Sequence, residues 1–510
     1  MILAVRKFIF IFFIYKFKSM KNIFFLDMNF KKIDFTNYTQ VKSFIFKNEF
    51  YNLNNKNIHS FDFLNFSNKL GGKVGIKLSK DSIIGWFHGN KNKLNFPWSE
   101  DLTSKRFVNL LYNYEYINSS SKIDERKKLD LVIFYHLQRI LFDFNIKKIS
   151  EITSYDIKAY ILASLISNKF NNKKINYIKF IVENHIDRIG MHKSYNLLEH
   201  SKYINNLREI KDILLFFNFK NPHIFDELIL KMTSLLNQYF HSDGTLPLFN
   251  GSNNIYTNKI FETLNKDTYL IKREFSNIDN GIAYFQDKRK KVFFDVVQPS
   301  KDKINSNLSA GTLSIEISGF GEKIFTNCGA SESFGKNPEY LRYSAAHSTI
   351  VLHNTNISEI KEGNPHIKYP QSVVYRKEMD ENKEIFEGSH NGYFKKFKKI
   401  IKRKLIIWKD KDKIDGQDTL ISYKDINHRL FFHIRFHLAE DITFNFTNNK
   451  KNIILKTKLK NIWLFKSDTE LIVEDSILVD KNITKPTKQI VIKGILSDIK
   501  TIRKWSLEKI

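Results

Sequence analysis

The chain has 510 residues, too many for one hydrophobic core, so we expect about two or three domains. Its 42% hydrophobic content excludes a disordered protein, and its single cysteine, Cys328, excludes an internal disulfide or a cysteine-based zinc cluster. The net charge of +28 favours a polyanionic partner such as nucleic acid, anionic lipid or an acidic polysaccharide, although an AT-rich genome also enriches lysine. Since the sequence contains no RNA-binding signature, zinc-finger spacing or phosphate-binding loop, we predict no nucleic-acid partner.

The N-terminal residues are the hardest to interpret. Residues 1–19 place two basic residues before the apolar run Phe8–Tyr15, as a signal peptide does. The run is short, no A-x-A cleavage site follows, and Met20 is an alternative start, so export stays open. The run is also too short to span a bilayer, and we predict no integral membrane span. Residues 20–100 form a poorly defined extension, in which the aromatic, turn-rich stretch 85–98 is expected to be a loop.

Between residues 101 and 270, hydrophobic residues recur every three or four positions, which is the spacing of amphipathic helices. We therefore predict an α-helical domain over 101–270, with at least five helices joined by short polar loops. The apolar stripes are Leu129, Ile133, Leu137, Ile140, Leu141 and Phe144; Ile157, Ile161, Leu162 and Leu165; Ile178, Val182 and Ile186; Leu207, Ile210, Leu214 and Phe217; and Leu228, Met232, Leu235 and Tyr239.

Beyond residue 271, apolar and polar residues alternate, as they do in strands. Many short strands with no helix between them predict an antiparallel β-sandwich over 271–510. In Leu313–Ser318 the alternation predicts a half-buried strand. The predicted strands are Ala283–Phe285, Val292–Val297, Leu313–Ser318, Thr349–His353, Phe432–Leu438, Ile442–Phe446, Ile462–Phe465 and Leu471–Glu474.

The basic run Lys395–Lys404 has the composition of a heparin- or nucleic-acid-binding patch. Its alternation also fits a strand whose lysine-rich outer face discourages pairing at a sheet edge. We favour the strand.

Several stretches resemble the heparinase II/III-like family of polysaccharide lyases. The core of the resemblance is AGTLSIEIS, the NCG at 327–329 and AAHSTIVL at 345–352. MHKSYN (191–196) and FHSDGTLPLFNG (240–251) resemble loops of the family's helical domain, and segments 389–420, 431–442 and 487–494 resemble later strands. The resemblance implies a multidomain α+β fold, in which an N-terminal incomplete α/α toroid is followed by a C-terminal antiparallel β-sandwich.

The resemblance also implies a chemistry. Such lyases cut uronate-containing polysaccharides by β-elimination, in which a base removes the proton at C5 and an acid protonates the leaving O4. The C5 proton becomes acidic enough when the neighbouring carboxylate is neutralised, so that the charge formed in the transition state is stabilised. Tyr and His are the usual acid and base. The expected site is a basic cleft between the two domains.

The resemblance makes His192 and His241 the first acid/base candidates, with Tyr340 and Tyr343 as further ones. Candidates for holding the substrate carboxylate are Asn196, Asn250, Arg342 and Asn307. Structural roles stay open for all of them, because loop histidines are common, Asp-Gly and Asn-Gly form turns, and tyrosines at strand ends usually pack.

The family's three metal-ligand positions correspond to Ser309, Asn327 and His347, so one of the three ligands is retained. A hydroxyl and an amide cannot replace imidazole and carboxylate as zinc ligands. We therefore predict no cofactor, and His347 is either a structural histidine or a functional one.

The sequence thus predicts a lyase-like protein that acts on an acidic polysaccharide. The alternative is a non-catalytic protein that binds such a polysaccharide or assists envelope assembly on a degenerate lyase scaffold. The periplasm or cell envelope is favoured over the cytoplasm, and the oligomeric state is open.

Overall fold

The structure is a computed structural model that describes residues 56–93, 96–98, 102–219, 221–255, 257–265, 281–331, 338–360, 368–423, 430–447, 449–496 and 498–510. The signal-like segment 1–19 and the predicted boundary near residue 270 lie outside the described residues. The chain forms two compact units, Met1–Val182 with Asn206–Phe225, and Glu183–Asn205 with Asp226–Ile510. The candidate residues named above all belong to the second unit.

The N-terminal part is helical, as the apolar periodicity predicts. The helices are α1 Lys56–Ser60, α2 Phe63–Leu70, α3 Gly72–Asn90, α4 Leu102–Tyr112, α5 Tyr114–Asn118, α6 Ile123–Ile146, α7 Ser154–Ile166, α8 Asn172–His185, α9 Leu197–Phe216, α10 Asp226–Leu236 and α11 Thr257–Leu264. On α6 the predicted stripe from Leu129 to Phe144 is buried except for Leu141, which is half-buried. Helix α7 begins with a capping box, in which Thr153 and Asp156 satisfy each other's backbone N–H groups. In the part of the chain that the structure describes, no helix is long and apolar enough to cross a membrane.

The predicted loop at 85–98 is wrong in its first half, because residues 85–90 belong to α3. Trp86 and Phe87 lie on the buried side of that helix, and the Trp86 Nε1–H donates to His59 Nδ1 over 2.9 Å. Burial of two large aromatic side chains outweighs the helix-weakening effect of Gly85 and Gly89.

The C-terminal part consists of antiparallel strands. They are β1 Ile282–Gln286, β2 Lys290–Asp295, β3 Ile315–Gly319, β4 Glu322–Thr326, β5 Ile350–Leu352, β6 Val373–Met379, β7 Lys383–His390, β8 Lys399–Trp408, β9 Lys413–Ser422, β10 Leu430–Leu438, β11 Thr443–Phe446, β12 Asn452–Lys456, β13 Ile462–Ser467, β14 Leu471–Asp480, β15 Ile483–Leu496 and β16 Lys500–Lys509, with a short helix α12, Phe394–Phe397, before β8. Each of the eight predicted strands corresponds to one of these.

The strands form two sheets. The first has the order β1-β2-β3-β4-β10-β15-β14, with β5 also paired to β10, and the second has the order β11-β12-β13-β16-β9-β8-β7-β6. The sheets face each other across an aromatic core: the Phe436 ring of β10 lies 5.0 Å from Phe465 of β13 and 4.8 Å from Trp505 of β16. The predicted antiparallel sandwich is confirmed.

Two expectations about individual strands need correction. Strand β3 is buried on both sides, so it is not the half-buried strand that its alternation predicts. Strand β8, which carries most of the basic run, pairs with β7 and β9 and is therefore an interior strand. Its lysines at 402 and 404 lie on the outer side, but Arg403 points into the core with no exposed surface.

Arg403 joins the two sheets. Its Nε and Nη2 donate to the two carboxylate oxygens of Asp418 on β9, at 2.7 and 3.0 Å. Its Nη1 donates to the carbonyl oxygens of Leu313 and Ser348, at 3.0 and 2.7 Å, next to β3 and β5. This buried ion pair therefore fixes the position of one sheet on the other, close to the segments that carry the candidate residues.

Removing the guanidinium leaves the Asp418 carboxylate buried without its partner. We expect Arg403→Met to lower the free energy of unfolding by roughly 3–5 kcal/mol, because an uncompensated buried charge is costly. Lys404→Met, one residue along the same strand but on its outer side, is the matched control and should change it by less than about 0.5 kcal/mol. Equal midpoints for the two variants in chemical denaturation would contradict the bridging role.

Candidate functional site

Loop 241–254 covers the polar side of β3. The expected Asp-Gly turn forms near its start, with Gly244 at a positive φ of +76°. Beside the turn, the backbone N–H of Ser242 donates to Ser318 Oγ over 3.1 Å. The polar residues of β3 therefore face a polar loop instead of solvent, and Glu316 in the middle of the strand has no exposed surface.

Glu316 is the centre of a buried hydrogen-bond network. Its Oε1 accepts the backbone N–H groups of Leu248 and Asn327, each at 3.0 Å, and the Asn327 side-chain Nδ2–H at 2.9 Å. Its Oε2 lies 2.8 Å from His241 Nε2. The Asn327 Oδ1 then accepts the backbone N–H of Ser348 at 2.9 Å. One carboxylate thus links loop 241–254 to β3, to β4 and to the segment that precedes β5.

The Glu316–His241 pair shares one proton. Burial raises the pKa of Glu316 to about 7, while Lys323 and the N–H donors oppose the rise. Burial, followed by Lys323, lowers the pKa of His241 well below its usual value. A neutral imidazole next to a carboxyl group that keeps its proton up to about pH 7 carries no net charge, which avoids the cost of a buried ion pair.

His192 lies in the loop between α8 and α9. Its Nδ1 is 2.8 Å from Ser194 Oγ, and Ser194 Oγ accepts the backbone N–H of Asn196 at 3.3 Å. Because the Ser194 backbone N–H also points at Nδ1, at 3.4 Å, Nδ1 is the accepting nitrogen and Nε2 carries the proton. Burial, followed by the neighbouring His185, His200 and Lys193, lowers the pKa of His192 well below 6.5, so the ring is neutral at neutral pH.

Asn196 and Asn250 continue this series of contacts. Asn196 caps α9, since its Oδ1 accepts the backbone N–H groups of residues 198 and 199, and its Nδ2 donates to the Asn250 carbonyl oxygen at 3.1 Å. Asn250 has a φ of +52°, and its Oδ1 accepts the Ser309 backbone N–H at 3.1 Å. The Asn250 Nδ2 is buried and has no partner among the described residues. Such a buried donor needs an acceptor, and a ligand can supply one.

The three family metal positions do not form a zinc site. Both ends of the Asn327 amide are used, by Glu316 and by Ser348. His347 is buried against Gly311, and burial lowers its pKa to about 4. Neither of its nitrogens has a partner within the described residues, so the three positions offer one free imidazole, and Ser309 contributes a hydroxyl. No cluster of three or more metal-binding side chains exists in the described part of the chain. One imidazole and one hydroxyl do not match the donor set that zinc requires.

The remaining candidates lie elsewhere on the second unit. Tyr340 and Tyr343 have 53% and 37% of their surface exposed, and Tyr343 Oη is 3.5 Å from Glu339. Arg342 is buried, and its Nη2 donates to the carbonyl oxygens of Ser306 and Leu308 at 2.6 and 2.9 Å. The exposed Asn307 belongs to the segment that Arg342 holds.

Cys328 is buried, as expected of a small structural residue. Its Sγ lies 3.5 Å from His437 Nδ1, and burial raises the pKa of the thiol to about 11. An unreactive thiol of this kind stabilises packing and has no nucleophilic role.

Hydrogen bonds connect His192 to Asn196 through Ser194, then Asn196 to Asn250, and Asn250 to Ser309. A second set of hydrogen bonds connects His241 to Asn327 through Glu316. Among the described residues, no hydrogen bond joins His192 to His241 or either histidine to Tyr340 or Tyr343. Sequence reasoning missed Glu316. The available signal was an acidic residue that alternates with apolar ones in a predicted strand, two positions from Ser314 on one side and from Ser318 on the other.

Comparison with protein-family models matches residues 275–506 to the family described as Heparinase II/III-like, C-terminal. No curated protein sequence matches the chain. Among solved structures, a heparinase III gene product superposes with a TM-score of 0.67 at 12% identity, over 98% of this chain and 88% of that chain. A crystal structure of heparinase III gives a TM-score of 0.68 at 13% identity, over 89% and 77% of the two chains. The heparan sulfate lyase HepC from Pedobacter heparinus gives 0.60 at 13% identity, over 90% and 77%.

Identities this low show a shared fold and leave the activity to be argued from the site. The predicted fold class, helices in the N-terminal part followed by an antiparallel sandwich, is confirmed. Residues 275–506 of this chain match the heparinase II/III-like C-terminal family, and the predicted resemblance to that family is confirmed.

Proposed function

We propose that this protein is a polysaccharide lyase-like enzyme that cleaves an acidic, uronate-containing polysaccharide by β-elimination. The heparinase II/III-like domain supplies the scaffold. The observation that carries the proposal is the series of contacts from His192 to Asn250, in which a neutral imidazole and an unpaired buried amide lie on neighbouring loops.

The chemistry requires hydrogen-bond donors aimed at the substrate carboxylate as its charge increases. His192 Nε2–H makes no hydrogen bond within the described residues, so it can donate to a carboxylate or leaving-group oxygen. A neutral imidazole is suited to this role, because it donates a hydrogen bond while it carries no charge of its own. The Asn250 Nδ2–H groups, which have no partner among the described residues, are a second neutral donor for the same carboxylate. Tyr340 and Tyr343, which are exposed, are the tyrosine candidates for the proton transfers.

His241 has an indirect role in this proposal. It is 1% exposed and its Nε2 is occupied by Glu316, so it acts through the loop that it stabilises. An acidic polysaccharide is the partner that suits both the family and the charge of +28. Location in the periplasm or cell envelope stays a prediction.

The second candidate function is binding without cleavage. Two points support it: the resemblance implies that Ser309 and Asn327 stand where the family has metal ligands, and no hydrogen bond joins Tyr340 or Tyr343 to His192 or His241 within the described residues. Such a protein would bind the same polysaccharide through its Lys and Arg residues and leave it intact.

The first experiment follows the ultraviolet absorbance of the unsaturated uronate product on heparan sulfate, hyaluronan and alginate. We expect the absorbance to rise on one of them, and His192→Ala to lower kcat by about 100- to 1,000-fold, the cost of losing one transition-state donor. His88→Ala, which removes an exposed histidine of α3, is the control and should retain full activity. Salt-sensitive binding with no rise on any substrate would favour the binding protein.

The pH profile offers a second check on His192. Because the pKa of His192 is lowered, the ring stays neutral as the pH falls through 6.5. We expect kcat to stay level across pH 6.5 and to decline only in more acidic buffer, where the ring takes up its proton. A half-maximal rate at pH 6.5 that is absent from His192→Gln would show that the ring titrates normally.

Metal removal tests the argument about the donor set. We expect activity to be unchanged after dialysis against EDTA, because one imidazole and one hydroxyl do not hold zinc tightly. Activity that is lost with EDTA and restored by zinc, together with about one zinc per chain in elemental analysis, would contradict this expectation.

A further inference from the structure

We propose that Glu316 is a positioning residue, which fixes loop 241–254 so that Asn250 presents its Nδ2–H groups to the substrate carboxylate. The inference rests on the proposed function, since it assigns Asn250 to the substrate. It concerns a residue that does not contact the substrate itself, because protein groups occupy both carboxyl oxygens of Glu316, whereas the Asn250 Nδ2 has no partner among the described residues.

The first step is that loop 241–254 depends on carboxylates for its position. Glu316 accepts the backbone N–H of Leu248 at 3.0 Å. Asp480, at the end of β14, accepts the backbone N–H of Asn254 at 2.8 Å and its side-chain Nδ2–H at 3.1 Å. The loop is therefore anchored by carboxylates on either side of Asn250, at Leu248 and Asn254, while Asn250 itself is bonded to Asn196 and Ser309.

The second step is that Glu316 is the nearer of the two anchors. Leu248 and Asn250 are two residues apart, and each residue extends the chain by at most about 3.5 Å. A displacement of the Leu248 N–H therefore changes the course of the chain immediately before Asn250. Asn250 also adopts a φ of +52°, a left-handed conformation that asparagine tolerates in turns.

The third step is that the acceptor must have the length of a glutamate. Glu316 Oε1 is shared by three N–H donors, two from Asn327 and one from Leu248, while Oε2 faces His241. The strand register fixes the Cα of residue 316 through the β2–β3 pairing with Phe293. A side chain that is one methylene shorter cannot reach both the loop and Asn327.

Two substitutions separate the length of the side chain at position 316 from its charge. Glu316→Asp keeps the charge and shortens the side chain, whereas Glu316→Gln keeps the length and lets its amide donate to the neutral His241 Nε2. If Glu316 acts by positioning, Glu316→Asp should lower kcat/KM by about 10- to 100-fold, and Glu316→Gln should stay within about threefold of the wild type. If its charge were the active feature, the order of the two variants would be reversed, and the proposal would be wrong.

A double-mutant cycle with Asn250→Ala tests whether the effect passes through Asn250. We expect Glu316→Asp to cause no further loss of kcat/KM in the Asn250→Ala background, because the group that it displaces is absent. If the loss of kcat/KM in the double variant equalled the product of the two single losses, Glu316 would act independently of Asn250.

Glu322 on β4 provides the matched control. Its Oε1 accepts the backbone N–H of Leu459 at 2.7 Å and its Oε2 accepts the Asn461 Nδ2–H at 2.8 Å, so it too anchors a loop through a carboxylate. Glu322→Asp should lower the melting temperature without changing kcat/KM. If Glu322→Asp lost as much activity as Glu316→Asp, both losses would be explained by lower stability of the fold, and the positioning role of Glu316 would be wrong.

Hydrogen exchange keeps the test independent of the proposed function. In Glu316→Asp, amides of residues 246–251 should exchange at least tenfold faster than in Glu316→Gln, and those of residues 457–461 should be unchanged. Equal exchange of 246–251 in the two variants would overturn the anchoring. If the wild type cleaves none of the polysaccharides but the exchange rates differ as expected, the proposed function fails and the anchoring of the loop stands.

Discussion

A single buried carboxylate determines how the candidate site is assembled. Glu316 on β3 needs donors because a carboxylate without them is very costly in the protein interior. The chain supplies donors from two places, the backbone N–H of Leu248 and both N–H groups of Asn327, and it places His241 Nε2 against the other oxygen. Meeting that requirement brings loop 241–254 onto the sandwich, and with it Asn250.

The sandwich below this network is rigid for a related reason. The Arg403–Asp418 pair is fully buried, and its guanidinium also bonds to the carbonyl oxygens of Leu313 and Ser348, which flank the network. Buried charges that are completely hydrogen-bonded allow few alternative arrangements. The fold is shared with heparinase III structures. In this chain the Asn327 amide donates to Glu316, which an aspartate could not do.

The sequence predicted the periodic elements well and the environment of single residues less well. Apolar spacing alone identified helices such as α6, and alternation identified β10 and β14. Sequence composition was misleading at 85–98, where burial of Trp86 and Phe87 favours a helix that the neighbouring glycines disfavour. It also failed for β3, because a polar loop distant in the sequence covers the strand's polar side. The resemblance pointed to His192, Asn196 and Asn250 as candidates, and the contacts among them appeared only in the structure.

The sequence by itself determined the order of the elements and the fold class, because these depend on the periodicity of apolar residues along the chain. Only the tertiary structure decided that Glu316 is buried, that His241 is paired with it, and that the Asn250 amide lacks a partner within the described residues. These properties depend on contacts between segments about 60 to 80 residues apart in the chain. No local pattern specifies such contacts, because they form when whole elements pack together.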